Sequence, residues 1–197
     1  YSNVVEVTTE AQTSSFFTDD WATIVSSVRE GNTRGYKVGE TKEIDLGTTY
    51  GTHTIRVANT STPNECSTSG FSQTACGFVL EFADIITTRT MNDTNTNSGG
   101  WPATSMRTFL NNDVYNSLPT NLKNGIIDTT TVSGHGGLDT TNFTSIDKLY
   151  LLTSKEIYID FSVEDDTAKD LTRTLDYYTT QGVTISNGGA IKKNGTS

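Results

Sequence analysis

The chain has 197 residues, a length that fits one domain large enough to bury most of its apolar surface. Its 14 Lys and Arg residues face 23 Asp and Glu residues, and the formal net charge of -9 excludes a nucleic-acid-binding protein, since phosphate backbones require a basic surface. Only 19% of the residues are charged, and Thr, Ser, Asn and Gly are abundant, a composition more typical of exported than of cytosolic proteins.

The start of the chain and the lack of a long apolar run bear on its location. The sequence contains neither a signal peptide nor an apolar run long enough to span a membrane. Residues 1–17 are polar, and we expect them to be extended and to follow a removed export segment. Residues 18–197 are expected to form a single domain, because no linker and no repeat divides them. We therefore predict an extracellular or cell-surface protein.

The first half of the chain predicts one helix and three strands. The helix is expected to start at a cap on Thr18 or Asp19 and to end at Gly31. Its apolar face consists of Trp21, Ile24, Val25 and Val28. Strands are predicted within residues 39–47, 52–59 and 76–87, and the last of these has the strongest apolar alternation. We expect it to be the central strand of an antiparallel sheet.

The second half predicts a mixture of helices and strands. Five elements follow: a helix near 103–112, a short helix at 117–127, a strand and polar loop at 128–145, an apolar strand at 146–158 and a helix at 167–182. Pro102 suits the first turn of the first helix, and the acidic residues 163–166 favour the start of the last one. Gly182 is expected to end it. Because helices and strands do not alternate regularly, we predict the α+β class.

Two cysteines, Cys66 and Cys76, enclose a polar segment that contains a glycine. Their separation of ten residues favours a disulfide that closes a hairpin, which would stabilise the fold by roughly 2 to 3 kcal/mol. Two reduced thiols are the alternative. A metal site would need more ligands than these two.

Two motif strings resemble a known family. The first has the form G-G-W-x-x-S-x-x-R-x-x-L-N and the second D-K-L-F-L-L-S-x-x-E. The matching positions are Gly99, Gly100, Trp101, Arg107, Leu110 and Asn111, with Ser105 one residue after the serine of the pattern, then Asp147, Lys148, Leu149, Leu151, Leu152 and Glu156. The chain thereby resembles uncharacterised extracellular domains of Firmicutes and related gut bacteria.

The resemblance implies a C-type-lectin-like α+β fold, with a central antiparallel sheet and several short helices. That superfamily also contains formylglycine-generating enzymes and phage receptor-binding proteins. Family members continue with a W-W-L-R-S segment and a V-R-P-A strand, and this chain has neither. We therefore expect its C-terminal strands to be missing or to be supplied by another chain.

The first motif string contains the candidate ligand-binding residues Trp101, Arg107 and Asn111. Trp101 and Arg107 could stack on and hydrogen-bond a sugar or peptide, because these residue types dominate binding hot spots. Alternatively, Trp101 fills the core and Arg107 pairs with a buried carboxylate or with carbonyls. The apolar helix pattern around them favours this structural interpretation. His135, between glycines in a polar loop, is a further ligand-binding candidate.

Residues 92–97 resemble the start of a calcium-binding loop. Asn92, Asp93, Asn95 and Asn97 are the candidate ligands. Ser98 stands where an EF-hand requires Gly, and Thr104 stands where it requires a bidentate Glu. The pattern leaves a weak extracellular calcium site open, and no other cofactor is expected.

Few residues could carry out catalysis. His53 is expected to be solvated at a strand edge. The sequence has no G-x-S-x-G motif that would supply a nucleophile for His135 to activate. No pairing of a nucleophile with a base follows from the spacing. We therefore favour a non-enzymatic module for adhesion or ligand binding.

The polar loops 59–77, 92–100 and 133–146 would contact the partner, a glycan or a surface protein. The alternative is a structural subunit of a homo-oligomer or larger surface assembly that strand addition completes. An enzyme of the formylglycine-generating type is the third hypothesis.

Overall fold

The computed structural model describes residues 15–33, 35–136, 139–162, 170–187 and 192. The strands among them are β1 Thr41–Asp45, β2 Thr52–Asn59, β3 Val79–Phe82, β4 Thr129–Ser133 and β5 Phe143–Asp147. The α-helical segments are α1 Trp21–Arg29, α2 Ser105–Phe109, α3 Tyr115–Ser117, α4 Thr120–Gly125, α5 Ser154–Ile157 and α6 Asp176–Thr180. These elements confirm the α+β class with antiparallel sheets and several short helices. None of the described helices is long and apolar enough to cross a membrane.

Helix α1 begins one residue later than predicted. Asp20 caps it, because the Asp20 carboxylate accepts a hydrogen bond of 2.7 Å from the backbone N–H of Thr23. Asp19 instead accepts a hydrogen bond from the hydroxyl of Tyr36. Helix α4 packs closely on α1 at Gly125, where an added Cβ would lie 2.3 Å from a methyl group of Val25.

The larger sheet has the antiparallel order β1-β2-β3, and the smaller one pairs β4 with β5. The prediction that the segment containing β3 is the central strand is wrong, since β2 occupies that position. The strong apolar pattern of β3 has another cause. Leu80 and Phe82 pack against one core, whereas Val79 and Glu81 are buried on the opposite face.

Two hydrophobic clusters lie on either side of the larger sheet. The first contains Phe16, Ile24, Tyr36, Ile44, Leu46, Ile55, Val57, Leu118 and Leu122. The second contains Ala58, Ala75, Val79, Leu175, Tyr178 and Val183. A disulfide joins Cys66 to Cys76 with an S–S distance of 2.05 Å, which confirms the predicted bridge. It closes the loop that carries Ala75 into the second cluster.

Three predicted elements differ in the second half of the chain. The helix predicted near 103–112 runs from 105 to 117 and includes a π-helical turn, Leu110–Val114. The apolar strand predicted at 146–158 is wrong: β5 ends at Asp147, an irregular segment follows, and α5 begins at Ser154. In that segment Leu149 packs against the first cluster and Leu152 against the second, so the apolar residues bridge two cores.

Residues 167–169 of the helix predicted at 167–182 lie outside the described residues, and the helix in the described part is shorter than predicted. Residues 170–175 are not helical, and only Asp176–Thr180 forms α6. Gly182 follows with a φ of 61°, in agreement with its predicted role at the helix end. Residues 1–14 of the predicted extended segment and the acidic residues 163–166 lie outside the described residues.

Candidate functional site

The backbone before Trp101 depends on Gly100. Gly100 has φ 53° and ψ -152°, a conformation that residues with a side chain rarely adopt. An added Cβ at Gly100 would also lie 2.3 Å from the ring of Phe143. This close approach places the 3-10 turn Trp101–Ala103 directly against β5, and Thr104 then caps α2 by accepting a hydrogen bond from the Arg107 N–H.

A buried carboxylate at the end of β5 receives the polar groups of Trp101 and Arg107. Asp147 is 1% exposed. Its Oδ1 accepts a hydrogen bond of 2.5 Å from Arg107 Nε, and its Oδ2 accepts one of 3.0 Å from Trp101 Nε1. The hydroxyl of Ser145 donates a further hydrogen bond of 2.7 Å to Oδ2. The polar tips of Trp101 and Arg107 therefore meet protein.

Asn111 binds the chain immediately after Asp147. Its Oδ1 accepts hydrogen bonds from the backbone N–H groups of Lys148, at 2.7 Å, and Leu149, at 3.1 Å. Its Nδ2 donates to the carbonyls of Leu149 and Arg107. The amide thus uses both donors and both acceptor positions within the protein. We call the contacts of Trp101, Arg107 and Asn111 with residues 146–149 the β5 clamp.

The fourth predicted ligand-binding residue lies outside the β5 clamp. The backbone N–H of His135 donates to Asn142 Oδ1, and its Nδ1 lies 3.2 Å from the Gly136 carbonyl oxygen. His135 Nε2 is buried and has no hydrogen-bond partner among the described residues. Gly136 borders the predicted calcium loop, because an added Cβ would lie 3.2 Å from Asn97 Nδ2.

The other histidine is not solvated as predicted. The His53 side chain is 10% exposed, with Nδ1 lying 3.1 Å from the Asp84 carboxylate and Nε2 lying 2.8 Å from the Tyr50 carbonyl oxygen. The ring therefore connects the turn before β2 to the segment after β3.

A groove of about 610 Å³ separates the 90–97 loop from Trp101. Its lining residues are Thr90, Met91, Asn92, Asp93, Thr94, Asn95, Thr96, Asn97, Gly100, Trp101 and Thr104. Asn92 braces the loop, since its side chain donates to the Thr96 carbonyl and accepts from the Ser105 N–H. Residues 93–97 are exposed.

The four candidate calcium ligands differ in their contacts. The Asn92 amide is used by the loop itself, and the Asp93 carboxylate lies 3.4 Å from the Arg89 guanidinium. Asn95 and Asn97 are exposed. No group of three or more His, Cys, Asp or Glu side chains that could hold a metal ion occurs in the described part of the chain.

Sequence reasoning missed a second buried carboxyl group, Glu156, which is 0% exposed. It accepts hydrogen bonds from the hydroxyls of Thr74 and Thr172 and from the backbone N–H of Thr153. Burial raises the pKa of the Glu156 carboxyl above its ordinary value, and these donors offset that rise only partly. The sequence T-S-K-E at 153–156 is a capping-box pattern that could have located it.

A third buried carboxylate, Glu81, was also missed. Arg56 donates two hydrogen bonds to Glu81 Oε1, at 3.0 and 2.7 Å, and the hydroxyl of Tyr178 donates to Oε2. The Arg56 guanidinium lies 3.7 Å from the ring centroid of Tyr177. The strand predicted within residues 76–87 did not indicate that Glu81 is buried.

A family comparison covers the region that contains both motif strings. The model of a family described as "Domain of unknown function (DUF6273)" matches residues 78–192. Neither a curated protein nor a solved structure matches the chain significantly. Because the matched residues make up more than half of the chain, it belongs to the DUF6273 family of domains of unknown function.

Proposed function

We propose that the chain is a non-enzymatic extracellular or cell-surface module that binds a partner, for adhesion, through its polar loops. The observation that carries this proposal is the groove between the 90–97 loop and Trp101. Grooves that combine an aromatic side chain with several polar groups are common ligand sites. The β5 clamp supports a binding role because it fixes one wall of the groove. Ligand binding therefore does not have to order that wall, which lowers its entropic cost.

The chemistry of the chain supports an extracellular location. A disulfide joins Cys66 and Cys76, and disulfides persist mainly in oxidising compartments. The low charged fraction of 19% agrees with an exported protein. We include a C-type-lectin-like fold in the same proposal. The antiparallel sheets and short helices support this part of it.

Binding to surface material tests the proposal. Immobilised protein is exposed to a glycan array, to bacterial cell-wall material and to host glycoproteins. We expect specific binding that the double variant Asn95→Ala/Asn97→Ala loses, because both side chains are exposed and line the groove. The matched control, Thr48→Ala/Thr49→Ala, changes an equally exposed turn and should bind normally.

Calcium forms a second arm of this experiment. If Asn92, Asp93, Asn95 and Asn97 contribute to a calcium site, a chelator should weaken binding and added calcium should restore it. Binding that is equal with and without chelator would remove calcium from the proposal and leave the groove in place. Absence of binding to every surface, or equal loss in both double variants, would contradict the proposed function.

A structural role in a surface assembly is the second candidate. Strand β1 pairs only with β2 among the described residues, which leaves its outer edge without a strand partner there. Such an edge can accept a strand from another chain. A solution mass equal to that of the monomer at high protein concentration would contradict self-assembly through this edge.

A further inference from the structure

We propose that the groove binds a neutral carbohydrate, with a pyranose ring stacked on Trp101. This inference rests on the proposed function and names the ligand class of the same site. It follows from three properties of the groove: the availability of the indole, the free amides of the loop and the distribution of charge.

The indole of Trp101 has no donor left for a ligand. Its Nε1 donates to Asp147 at 3.0 Å, so that the part of the ring that lines the groove offers apolar surface alone. Met91, which is 47% exposed, lines the same groove. Apolar surface of this kind suits the C–H face of a sugar ring. It does not suit a ligand that requires a strong hydrogen bond at this position.

The opposite wall supplies side chains that both donate and accept. Asn95 and Asn97 are exposed, and their side-chain amides form no hydrogen bond with other described residues. An amide offers an acceptor oxygen and a donor nitrogen, as a sugar hydroxyl also donates and accepts. Asn92, in contrast, is engaged with Thr96 and Ser105 and serves to shape the loop.

The charges of the groove exclude acidic ligands. Asp93 is the one charged residue among the lining residues that the structure describes, and it forms an exposed ion pair with Arg89. None of the described residues that line the groove is a lysine or arginine that could receive a carboxylate, sulfate or phosphate. The net charge of -9 adds a general repulsion of anions. An uncharged sugar is therefore favoured over an acidic sugar or an acidic peptide.

Tryptophan fluorescence provides a direct test, because the chain has two tryptophans and the second, Trp21, packs against the first core cluster. In a Trp21→Phe variant all tryptophan emission comes from Trp101. The variant is titrated with lactose, maltose and N,N′-diacetylchitobiose, and with glucuronic acid and an acidic dipeptide as charged probes. We expect a saturable change of emission with at least one neutral disaccharide and none with the charged probes.

The loop variant is then introduced into the same background. Loss of the two amide side chains should raise the dissociation constant of the sugar roughly tenfold, the equivalent of about two weak net hydrogen bonds. The Thr48→Ala/Thr49→Ala control should leave the titration unchanged. If Trp21→Phe is unfolded, the two indole N–H signals of the unsubstituted protein are followed by NMR, with Trp101 assigned from Trp101→Phe.

The outcomes separate this inference from the proposed function. Surface binding that survives periodate oxidation of the glycans, or a Trp101 signal that responds to the charged probes alone, would overturn the carbohydrate inference and leave a binding module. If none of the tested sugars changes the fluorescence or the indole N–H resonance of Trp101, the carbohydrate inference is overturned as well. Failure of both this titration and the surface panel would overturn the proposed function as well.

Discussion

Asp147 and Glu156 are two carboxyl groups nine residues apart, and both are almost completely removed from water. Asp147 is paired with the guanidinium of Arg107 and also accepts from the Trp101 indole. Glu156 accepts from two hydroxyls and one backbone N–H, and it forms no ion pair with any described residue. Desolvation raises the pKa of the Glu156 carboxyl above its ordinary value.

The different environments of Asp147 and Glu156 show two ways in which this fold buries a carboxyl group. A carboxylate with a cation can remain ionised in the interior, although removal of the partner is then costly. A buried carboxyl that lacks a cation is different, because desolvation favours its protonated form even when hydroxyl and N–H donors partly offset that effect. Asp147 holds the β5 clamp together, whereas Glu156 connects α5 to the disulfide loop through Thr74. Four predictions test this comparison.

The largest effect is expected from Arg107→Met, which leaves the carboxylate of Asp147 buried without a cation. We expect a loss of about 3 kcal/mol in the free energy of unfolding, measured by urea denaturation. Arg89→Met is the matched control, since its ion pair with Asp93 is exposed and should be worth about 0.5 kcal/mol or less. Equal losses in the two variants would contradict the role of the Asp147 pair.

Removal of the disulfide should have the next largest effect. The bridge restrains the loop that carries Thr74, one of the donors to Glu156. In Cys66→Ser/Cys76→Ser we expect a loss of about 2 to 3 kcal/mol from the greater entropy of the unfolded chain. Reductant should lower the melting temperature of the unsubstituted protein and leave that of the double variant unchanged. An unaltered melt under full reduction would contradict the bridge.

Trp101→Phe should have a smaller effect, because phenylalanine retains an aromatic ring but lacks part of the indole's apolar surface and the N–H that binds Asp147. Hydrogen bonds to charged groups contribute about 1.5 to 3 kcal/mol, and Ser145 still supplies a donor, so we expect a loss near 1.5 kcal/mol. A double-mutant cycle with Asp147→Asn should reveal a coupling between the two positions. Strictly additive losses would show that the indole N–H does not matter.

Glu156→Gln should have the smallest effect, about 1 kcal/mol or less at acidic pH, because the amide retains the shape and can still bond hydroxyls. A folded pKa above the ordinary value of 4.5 means that the folded protein binds more protons than the unfolded one. The contribution of Glu156 to stability is therefore full below pH 4.5 and is lost as the pH rises through the raised pKa.

The variant lacks this dependence. Relative to the unsubstituted protein, Glu156→Gln should gain stability steadily as the pH rises above 4.5, in melting experiments from acidic to neutral pH. Glu30→Gln, on the exposed end of α1, provides a surface control. A stability difference that is constant with pH would contradict the raised pKa of Glu156.

The elements that local patterns specify could be predicted from the sequence. Strand β2 and the disulfide depend on alternation and on cysteine spacing, and both agree with the structure. The segment 148–153 could not be predicted in the same way. Its apolar residues indicated a strand, but the Asn111 side chain binds the backbone of Lys148 and Leu149 in place of a neighbouring strand.

The candidate site could be predicted in part. The pattern favoured an Arg107 that pairs with a buried carboxylate, and the structure identifies that carboxylate as Asp147. The sequence could not name Asp147, because 40 residues separate the two positions and no local pattern specifies the contact between β5 and the Trp101–Ala103 turn. The burial of Glu81 and Glu156 was missed for the same reason, since it depends on distant segments, although the local capping-box pattern at 153–156 marks the position of Glu156.

The position of β3 has a consequence for how the chain must assemble. The family match begins at Phe78, one residue before β3, whereas the partner strand β2 and the α1 helix precede it. A fragment that contained only residues 78–192 would lose the strand that pairs with β3 and most of the first hydrophobic cluster. Asp176 likewise bonds Thr60 and Ser61 across more than 100 residues. Because these contacts join segments far apart in the chain, we expect the fold to form slowly, only after the segment near Asp176 has left the ribosome.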